Sequence, residues 1–353
     1  MSLRMQVQAF HLPLRAPLGT AHGETMAVQG LRLLLQDAEG GFGLGEVTAL
    51  PSFGTETQAQ AAEALASFRL GPPPRSLEEV SACVASLGQR PAAQAGVEVA
   101  LLDWLARKRG LALARLLGAP NVQAVPVNAL LRAETATEVA LEAAAAVAAG
   151  FGTLKLKVGA LPPEVDVARC KAVREAVGPR TRLRIDANGA WTEAEARLRL
   201  APLAPLGLEY VEQPVAAEDI AGLRRLRRLV AVAADEALGL PGAAGALLDG
   251  EEGPAADVLI LKLAVLGGVL PALGLAARAR ARGVGAVVTS ALDGSVARAA
   301  AGHLALALGG PLAHGLSTGA LLLEDPGGYP LQAGRLVLRD VPGLGISPEA
   351  LGW

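Results

Sequence analysis

The stretch GTLKLKVGA (residues 152–160) carries two lysines in an otherwise apolar run. Successive side chains of a strand point to opposite faces, so Lys155 and Lys157 share one face. An ammonium group in an apolar setting is costly unless it finds a partner or gives up its proton. Only five of the 32 Lys and Arg residues are lysines: Lys108, Lys155, Lys157, Lys171 and Lys262. Because buried Lys can shift its pKa and Arg does not, lysines in strands indicate proton chemistry.

Size and charge limit the class of protein. The 353 residues suit a barrel of about 250 residues together with a smaller domain. A composition that is 52% hydrophobic supplies a large core. The formal net charge of −2 argues against binding to nucleic acid. We therefore expect a small-molecule partner.

Cysteine usage and hydropathy bear on location. Cys83 and Cys170 lack the spacing of metal ligands and are typical of free thiols in a reducing compartment. The first residues lack the apolar region of a signal peptide, and the Ala-rich segment 142–149 is too short to cross a bilayer. We predict a cytoplasmic protein without a membrane partner. Homo-oligomer formation stays open.

The first third of the chain differs from the rest. Residues 3–12 and 28–36 are predicted strands, joined through a flexible Gly-containing loop at 19–23. Three helical patterns follow, at 57–68, 76–88 and 91–117. Gly43-Leu44-Gly45 is not a nucleotide-binding loop, because no strand and helix frame a full GxGxxG motif there.

From about residue 125 short apolar runs alternate with helical patterns. Such alternation favours a parallel sheet. Seven units and a weak eighth strand near 312–316 predict a barrel. The predicted strands are VPVNALL (125–131), TLKLKVG (153–159), RLRID (182–186), LEYVE (208–212), VAVAAD (230–235), DVLILKL (257–263) and GAVVTS (285–290).

Polar residues end the predicted barrel strands, where the chemistry of such barrels is found. Three consecutive strands end in carboxylates, with lysine-bearing strands on both sides, and each step along the chain is about one βα unit. In chain order these residues are Lys155 and Lys157, Asp186, Glu212, Asp235, Lys262 and Ser290.

Three carboxylates at one rim repel one another unless they are protonated or bind a metal ion. Oxygen ligands suit a hard cation such as Mg²⁺, which keeps positions open for a substrate. Such an ion would bind a substrate carboxylate and stabilise an enediolate, with Lys157 as the base that removes the α-proton. Lys155, a like charge on the same face, would lower the pKa of Lys157.

Each residue also has a plain structural interpretation. A single Asp at a strand end is more often a helix N-cap, and a single Lys at a strand edge is more often solvated. Arg184 shares a face with Asp186 and forms either a structural ion pair or a substrate contact. His22 and His314 lie in predicted loops, and their roles stay open. The joint pattern at barrel spacing favours the functional interpretation.

The motifs KLKVG, RIDANGAW, VEQP, ADE and LILK together resemble the enolase superfamily, in its muconate-lactonising-enzyme-like branch. The resemblance implies an α/β fold: a (β/α)7β modified TIM barrel with an α+β capping domain formed by the N-terminal part and the C-terminal tail. The implied boundaries are 1–123 for the capping domain, with specificity loops 18–24 and 47–57, then 124–319 for the catalytic barrel and 320–353 for the returning tail.

The resemblance also implies a site. Asp186, Glu212 and Asp235 would bind Mg²⁺, for which Mn²⁺ is an expected substitute. Lys157 and Lys262 would be the acid/base residues, with support from Lys155 and Asn188, and Asn188 would also bind the substrate.

The more variable stretches PLGTAHG (17–23), GLGEVTALPSFGTET (43–57), VVTSALDGSVA (287–297) and AHGLSTGALLLEDP (313–326) resemble the o-succinylbenzoate synthase family. This family dehydrates 2-succinyl-6-hydroxy-2,4-cyclohexadiene-1-carboxylate in menaquinone biosynthesis. The resemblance implies that Lys157 takes the α-proton and helps the hydroxyl leave, while Lys262 stabilises the intermediate as a cation. Ser290, Gly294 and Ser295 would bind the succinyl part. Loops 18–24, with Thr20 and His22, and 51–55 would close over the substrate.

Two other activities use the same residues. An N-succinylamino acid racemase, as the main or a second activity, needs Lys157 and Lys262 as bases on opposite faces. A dipeptide epimerase usually has a DxD pattern after the eighth strand, where this chain has HGLSTG. A non-catalytic barrel is disfavoured, because both lysine sites and all three carboxylates are present.

Overall fold

Three antiparallel strands begin the chain: β1 (Leu3–Thr20), β2 (Gly23–Asp37) and β3 (Phe42–Val47), in the order β1-β2-β3. The computed structural model describes residues 2–20 and 23–353, with only the backbone of 19, 20, 23 and 24. The predicted strands are therefore present but longer. Thr20 lies opposite Gly23, so strand pairing extends into the segment predicted as a flexible loop.

A long helix covers this sheet. Helix α3 (Pro91–Lys108) packs on β3, following α1 (Gln58–Ser67) and α2 (Leu77–Val84). A Cβ atom at Gly43 would lie 2.2 Å from the carbonyl oxygen of Ala100, and one at Gly45 would lie 2.1 Å from that of Gly96. The glycines of Gly43-Leu44-Gly45 thus allow close approach of helix and strand.

The predicted helix 91–117 is interrupted. Helix α3 ends at Lys108, and Gly110 has a φ of +63°, a left-handed conformation that ends a helix. The short helix α4 (Leu113–Leu116) follows. The prediction of one continuous helix was wrong, because a local turn at Gly110 outweighed the helical pattern on either side.

Seven parallel strands form the barrel sheet and follow one another in chain order. Residues 314 and 315 close the ring, since His314 forms a parallel bridge with Val127 and Gly315 forms one with Thr289. The predicted barrel, with its weak eighth strand, is confirmed. The strands are β5 (Ala129–Leu131), β6 (Thr153–Lys157), β7 (Arg182–Asp186), β8 (Leu208–Glu212), β9 (Val232–Ala234), β10 (Val258–Leu261) and β11 (Gly285–Val288).

Helices follow the barrel strands and bury their apolar sides against the sheet, as the βα alternation predicts. They are α5 (Ala136–Ala148), α6 (Pro163–Val177), α7 (Glu193–Leu200), α8 (Ile220–Leu226), α9 (Ala243–Leu248), α10 (Leu263–Leu266), α11 (Val269–Ala281) and α12 (Ser295–Leu308). No helix among the described residues has both the length and the hydropathy to span a membrane.

The predicted strand 125–131 is divided between two sheets. Strand β4 (Ala124–Pro126) pairs antiparallel with β13 (Arg335–Val337), which also pairs with β12 (Leu331–Gln332). Only β5 joins the barrel. The apolar pattern of this segment does not record the division, because the partner of β4 lies about two hundred residues further along the chain.

The last residues contact the first part of the chain. Leu322 bridges to Leu14, and the carbonyl of Leu351 accepts a hydrogen bond from Arg32. The backbone N–H of Leu344 donates to the buried carboxylate of Asp103 in α3. The boundaries at 123/124 and 319/320 stay a prediction.

Candidate active site

Strand register brings the charged strand ends together. Lys157 lies opposite Asp186, and Asp186 lies opposite Glu212. Asp235 directly follows β9, and Lys262 directly follows β10. All five residues therefore lie at the carboxyl-terminal rim of the barrel, as the spacing of the strand ends predicts.

Lysine ammonium groups lie against the carboxylates. Lys155 Nζ is 2.7 Å from Glu212 Oε1 and 2.9 Å from Asp186 Oδ2. Lys157 Nζ is 2.7 Å from the same Asp186 oxygen, and Lys262 pairs with Asp235. The side chain of Lys155 is 14% exposed and that of Lys157 is 47% exposed. Lys157 is thus the member of the pair that a molecule entering the barrel mouth can reach.

The three carboxylates influence one another's protonation. Burial, and then the negative charge of Asp186, raise the pKa of Glu212 to about 7, against the effect of Lys155. Burial also raises the pKa of Asp235, although the positive charge of Lys262 acts in the opposite direction. For Asp186 burial acts upwards, but Lys155 and Lys157 outweigh it and hold its pKa below the usual range. The rim therefore concentrates buried negative charge that a cation would stabilise.

The chemical type of the donors, though not their present spacing, suits a hard divalent cation. The donors are three buried carboxylates on neighbouring strands, each close enough to shift the pKa of another. Within residues 2–20 and 23–353, no three His, Cys, Asp or Glu side chains are set closely enough to enclose an ion as they stand. An ion would compete with the ammonium of Lys155 for Asp186 and Glu212. The chemistry of the donors favours a cation, and ion binding requires the carboxylates to exchange lysine for metal.

Asn188 completes the surroundings of Lys157. Its Oδ1 accepts a hydrogen bond of 2.6 Å from Lys157 Nζ, and its Nδ2 donates one of 2.8 Å to Glu236 Oε1. Its backbone N–H donates to Asp186 Oδ1 at 3.0 Å. The structure thus brings Asn188 to the rim.

Arg184 forms one of the two contacts expected for it, an ion pair. It is fully buried one step below the rim, opposite Lys155 and Tyr210 in the strand register. Its guanidinium pairs with Glu209, donates to the carbonyl of Ala313 at 2.8 Å and stacks over the ring of Tyr210. The structural ion pair is therefore present, and a substrate contact of Arg184 stays a prediction.

Ser290, Gly294 and Ser295, which are expected to bind a succinyl group, have different surroundings. Ser290 Oγ is 2.5 Å from Thr318 Oγ1 near the rim. The N–H of Gly294 donates to Glu46 Oε1 at 2.6 Å, and Ser295 Oγ donates to the carbonyl of Pro326 at 2.6 Å. Ser295 is buried and turned towards the C-terminal tail, and its expected ligand contact stays a prediction. The Gly294 amide is likewise engaged by protein, while the role of Ser290 stays a prediction.

The loops of the first domain bear on the site in part. His22 and the side chain of Thr20 lie outside the described residues. The turn Pro51–Phe53 lies over the rim, with the Phe53 ring 4.0 Å from Lys262 Nζ. A Cβ atom at Gly54, whose φ is +86°, would lie 2.8 Å from the carbonyl oxygen of Gly239. The predicted loop 51–55 therefore packs on the barrel mouth.

Three residues at the rim were missed by sequence reasoning. Phe53 lies in the predicted loop 51–55, within which the sequence pattern does not distinguish single residues. Glu236 directly follows Asp235 in the ADE motif. Asp293 lies close enough to Lys262 to interact with its charge, and burial raises the pKa of Asp293 to about 6. The position of Glu236 in the ADE motif could have identified it, whereas no local pattern distinguishes Asp293.

His314 has a structural role. Its Nδ1 accepts a hydrogen bond of 3.0 Å from the backbone N–H of Val288, inside the closed ring. Burial, and then Arg184, lower its pKa to about 3. A neutral buried imidazole that accepts from the Val288 N–H needs no ligand to explain it.

Two family models match the chain. The mandelate racemase / muconate lactonizing enzyme N-terminal domain matches residues 3–118, and the enolase C-terminal domain-like family matches residues 138–350. Together they cover both the first domain and the barrel.

Similar proteins of known activity catalyse several reactions. An N-succinyl-L-Arg/Lys racemase of Bacillus cereus is 28% identical over 97% of this chain and 94% of its own. A hydrophobic dipeptide epimerase of Enterococcus faecalis is 32% identical over 98% and 99%. An o-succinylbenzoate synthase of Thermobifida fusca is 43% identical, over 59% of this chain and 63% of its own.

The solved structures agree with the fold. The crystal structure of the dipeptide epimerase from Enterococcus faecalis V583, complexed with Mg and the dipeptide L-Leu-L-Tyr, superposes with a TM-score of 0.90. It is 31% identical and covers 98% of this chain and 100% of its own. The architecture is thus shared with a Mg-complexed enzyme, while the activity differs among relatives.

Proposed function

Because the chain belongs to the enolase superfamily, in its muconate-lactonizing-enzyme-like branch, we propose that it is a Mg²⁺-dependent dehydratase. Its proposed reaction converts 2-succinyl-6-hydroxy-2,4-cyclohexadiene-1-carboxylate to o-succinylbenzoate. One observation carries the proposal: a half-exposed Lys157 lies beside buried carboxylates, and Lys262 lies on the far side of the same rim. Proton abstraction next to a carboxylate needs such a base and such a charge cluster.

The choice among the reactions of the branch has two supports. The 43% identity to the Thermobifida fusca o-succinylbenzoate synthase exceeds that to the racemase and epimerase, although it spans a shorter segment. A dipeptide carries an α-ammonium group, which calls for carboxylates at the rim. Segment 314–318 offers the hydroxyls of Ser317 and Thr318 instead.

Asp186, Glu212 and Asp235 would hold the metal, which supplies Lewis-acid stabilisation of the charge that develops on the substrate carboxylate. Lys157 takes the proton from the carbon next to that carboxylate, and the electron pair passes into the carboxylate as an enediolate. The same lysine, now protonated, gives its proton to the departing hydroxyl on the neighbouring carbon. Water leaves, and the ring becomes aromatic without any oxidant.

The other lysines act without exchanging a proton. Lys262, paired with Asp235 and covered by the Phe53 ring, lies across the rim as a cation facing the developing negative charge. Lys155 is held between Asp186 and Glu212, where burial acts against its charge but both carboxylates raise its pKa well above the usual range. Its side chain is 14% exposed against 47% for Lys157, so Lys157 is the amine that a substrate can reach.

The assay is direct. Purified protein with Mg²⁺ and the cyclohexadiene substrate should form o-succinylbenzoate, followed by the loss of diene absorbance and by mass spectrometry. Addition of a chelator should stop the reaction, and added Mg²⁺ should restore it. Failure to form product at any protein concentration would refute the proposed dehydration.

A second activity, racemisation of N-succinylamino acids, is favoured by the same placement of the two lysines. Lys157 is the last residue of β6, and Lys262 directly follows β10. These strands are four positions apart in the ring, so the two lysines lie on opposite sides of the barrel mouth. This is the geometry that two-base racemisation needs. In D₂O, deuterium should appear at Cα of an N-succinylamino acid. Its absence alongside intact dehydration would exclude racemisation as a main role.

A further inference from the structure

Glu236 is an acidic residue at the rim to which the proposed reaction gives no role. It directly follows Asp235, yet its carboxylate turns to Asn188, whose Nδ2 donates to Glu236 Oε1 at 2.8 Å. Its second oxygen, Oε2, is buried and has no hydrogen-bond partner among the described residues. Burying a carboxylate oxygen without a hydrogen-bond partner costs free energy, so the contact of Glu236 with the Asn188 amide needs an explanation.

The amide of Asn188 lies between two charges of opposite sign. Its Oδ1 accepts from the ammonium of Lys157 at 2.6 Å, while its Nδ2 donates to the carboxylate of Glu236. An ammonium group only donates and a carboxylate only accepts. Turning the amide over would place NH₂ against NH₃⁺ and oxygen against oxygen. The two charges therefore select one of the two amide orientations.

The backbone of Asn188 is held in place, so the orientation of its side-chain amide is what can still vary. Its φ is +46°, in the left-handed region that Asn tolerates better than most residues. Its N–H is held by Asp186 Oδ1 at 3.0 Å, and the next N–H, of Gly189, donates to the carbonyl of Gln213 at 2.7 Å. These contacts fix the backbone from which the Asn188 side chain extends. Glu236 therefore influences only the orientation of the terminal amide.

We propose that Glu236 is a positioning residue that orients the Asn188 amide and, through it, the Nζ atom of Lys157. This inference rests on the proposed function, because it concerns the base of that reaction. Glu236 acts on the direction of Nζ towards the substrate carbon. It neither binds substrate nor takes a proton. A misplacement of about 1 Å at a reacting atom lowers rates by about 100-fold, so one amide orientation matters for turnover.

Two substitutions at Glu236 separate orientation from packing. Glu236→Leu removes the acceptor but keeps similar bulk, and kcat should fall about tenfold or more while KM changes less than about threefold. Glu236→Gln keeps an accepting oxygen for Asn188 Nδ2, and it should recover most of the lost kcat. An equal loss in both variants, or a loss confined to KM, would overturn the proposal.

A double-mutant cycle tests the route through Asn188. Asn188→Ala removes the amide that Glu236 is proposed to orient. In that background Glu236→Leu should produce no further loss of kcat, because coupled residues are non-additive. A full additional loss would show that Glu236 acts by another path and would contradict the proposal.

Two measurements need no turnover and therefore separate this proposal from the proposed reaction. Calorimetric titration with Mg²⁺ alone should give affinities for wild type and Glu236→Leu within about threefold of each other, since Glu236 faces Asn188. A larger loss would assign Glu236 to the metal site and overturn its positioning role. A crystal structure of Glu236→Leu should show the Lys157–Asn188 contact broken, and a retained contact would likewise contradict the proposal. If wild type fails to dehydrate the substrate, the reaction is wrong while these two results still decide the role of Glu236.

Discussion

Lysine placement is the residue-scale feature on which the proposed chemistry depends. Lys155 and Lys157 share a strand face, yet their surroundings differ, since Lys155 is held between two carboxylates and Lys157 contacts one carboxylate and an amide. Alternation along the strand predicts the shared face, whereas the distances show which amine remains accessible. Lys157 is therefore the amine to which we assign the proposed proton abstraction.

The replacement Lys157→Ala should abolish turnover, with a loss of about 100-fold to 10,000-fold for removal of a positioned base. The melting temperature should change little, because the side chain is about half exposed. Mg²⁺ binding should persist, because the substitution removes a cation, and no carboxylate, from beside Asp186. Lys171→Ala is the matched control, since Lys171 is exposed on α6 away from the rim. Stopped assays with the cyclohexadiene substrate measure the effect, and an active Lys157→Ala enzyme would show that another group is the base.

At the scale of secondary-structure elements, small residues let the first-domain sheet and its helix approach closely. Gly45 of β3 and Gly96 of α3 face each other, and neither position has room for a methyl group. Leu44, between the two glycines of β3, is fully buried and its N–H donates to the carboxylate of Asp103. The GLG segment is therefore a packing motif that joins β3 to α3.

Gly45→Ala should destabilise the fold by about 1–3 kcal/mol, because the new methyl overlaps the backbone of α3. Thermal or urea unfolding measures the change. Gly274→Ala is the control: a Cβ atom at this exposed position of α11 meets nothing within 4 Å, so the same substitution should be neutral or slightly stabilising. Equal effects of the two substitutions would contradict the packing role of Gly45.

Contacts between elements also predict a dependence of stability on pH. Glu98 of α3 is buried, and its carboxylate accepts from the N–H groups of Val269 and Leu270 at the start of α11. Burial outweighs these hydrogen bonds and raises the pKa of Glu98 to about 8. Its contribution to stability is thus fully present below the unfolded pKa near 4.5 and is lost as pH rises through about 8.

Glu98→Gln should remove that dependence, because an amide does not titrate in this range. The free energy of unfolding of wild type relative to Glu98→Gln should fall between pH 5 and pH 9, by about 1.4 kcal/mol for each unit of pKa shift. Urea unfolding at a series of pH values measures the difference. A difference that stays constant with pH would show that Glu98 titrates normally in the folded protein.

For the whole molecule, the site depends on how the first domain lies on the barrel. Glu46 of β3 accepts from the N–H of Gly294 at the start of α12, just beyond Ser290, and Phe53 covers Lys262. Burial, and then Asp293, raise the pKa of Glu46 to about 7, in spite of Arg298 and Arg32. A buried polar contact thus couples the first domain to a barrel loop at the rim.

Gly294→Ala tests this coupling. A Cβ atom there would lie 2.4 Å from Glu46 Oε2, so the Glu46 carboxylate must move away from the Gly294 N–H. We expect KM to rise about tenfold, which corresponds to about 1.4 kcal/mol of lost binding, together with a modest drop in melting temperature. Gly245→Ala in α9, where a Cβ atom meets nothing within 4 Å, serves as control. An unchanged KM in Gly294→Ala would place the substrate away from this loop.

The sequence by itself determined the barrel and the order of charged residues along it, because strand alternation and βα spacing are local patterns that need no distant partner. The family came from the resemblance of its motifs. Tertiary structure decided what those patterns do not record. Arg184 lies below the rim and Ser295 faces the tail, because ring closure by 314–315 and the return of residues after 320 set the depth and neighbours of each side chain. The link from Glu236 through Asn188 to Lys157 joins three separate strand ends, so it exists only once the sheet has curled.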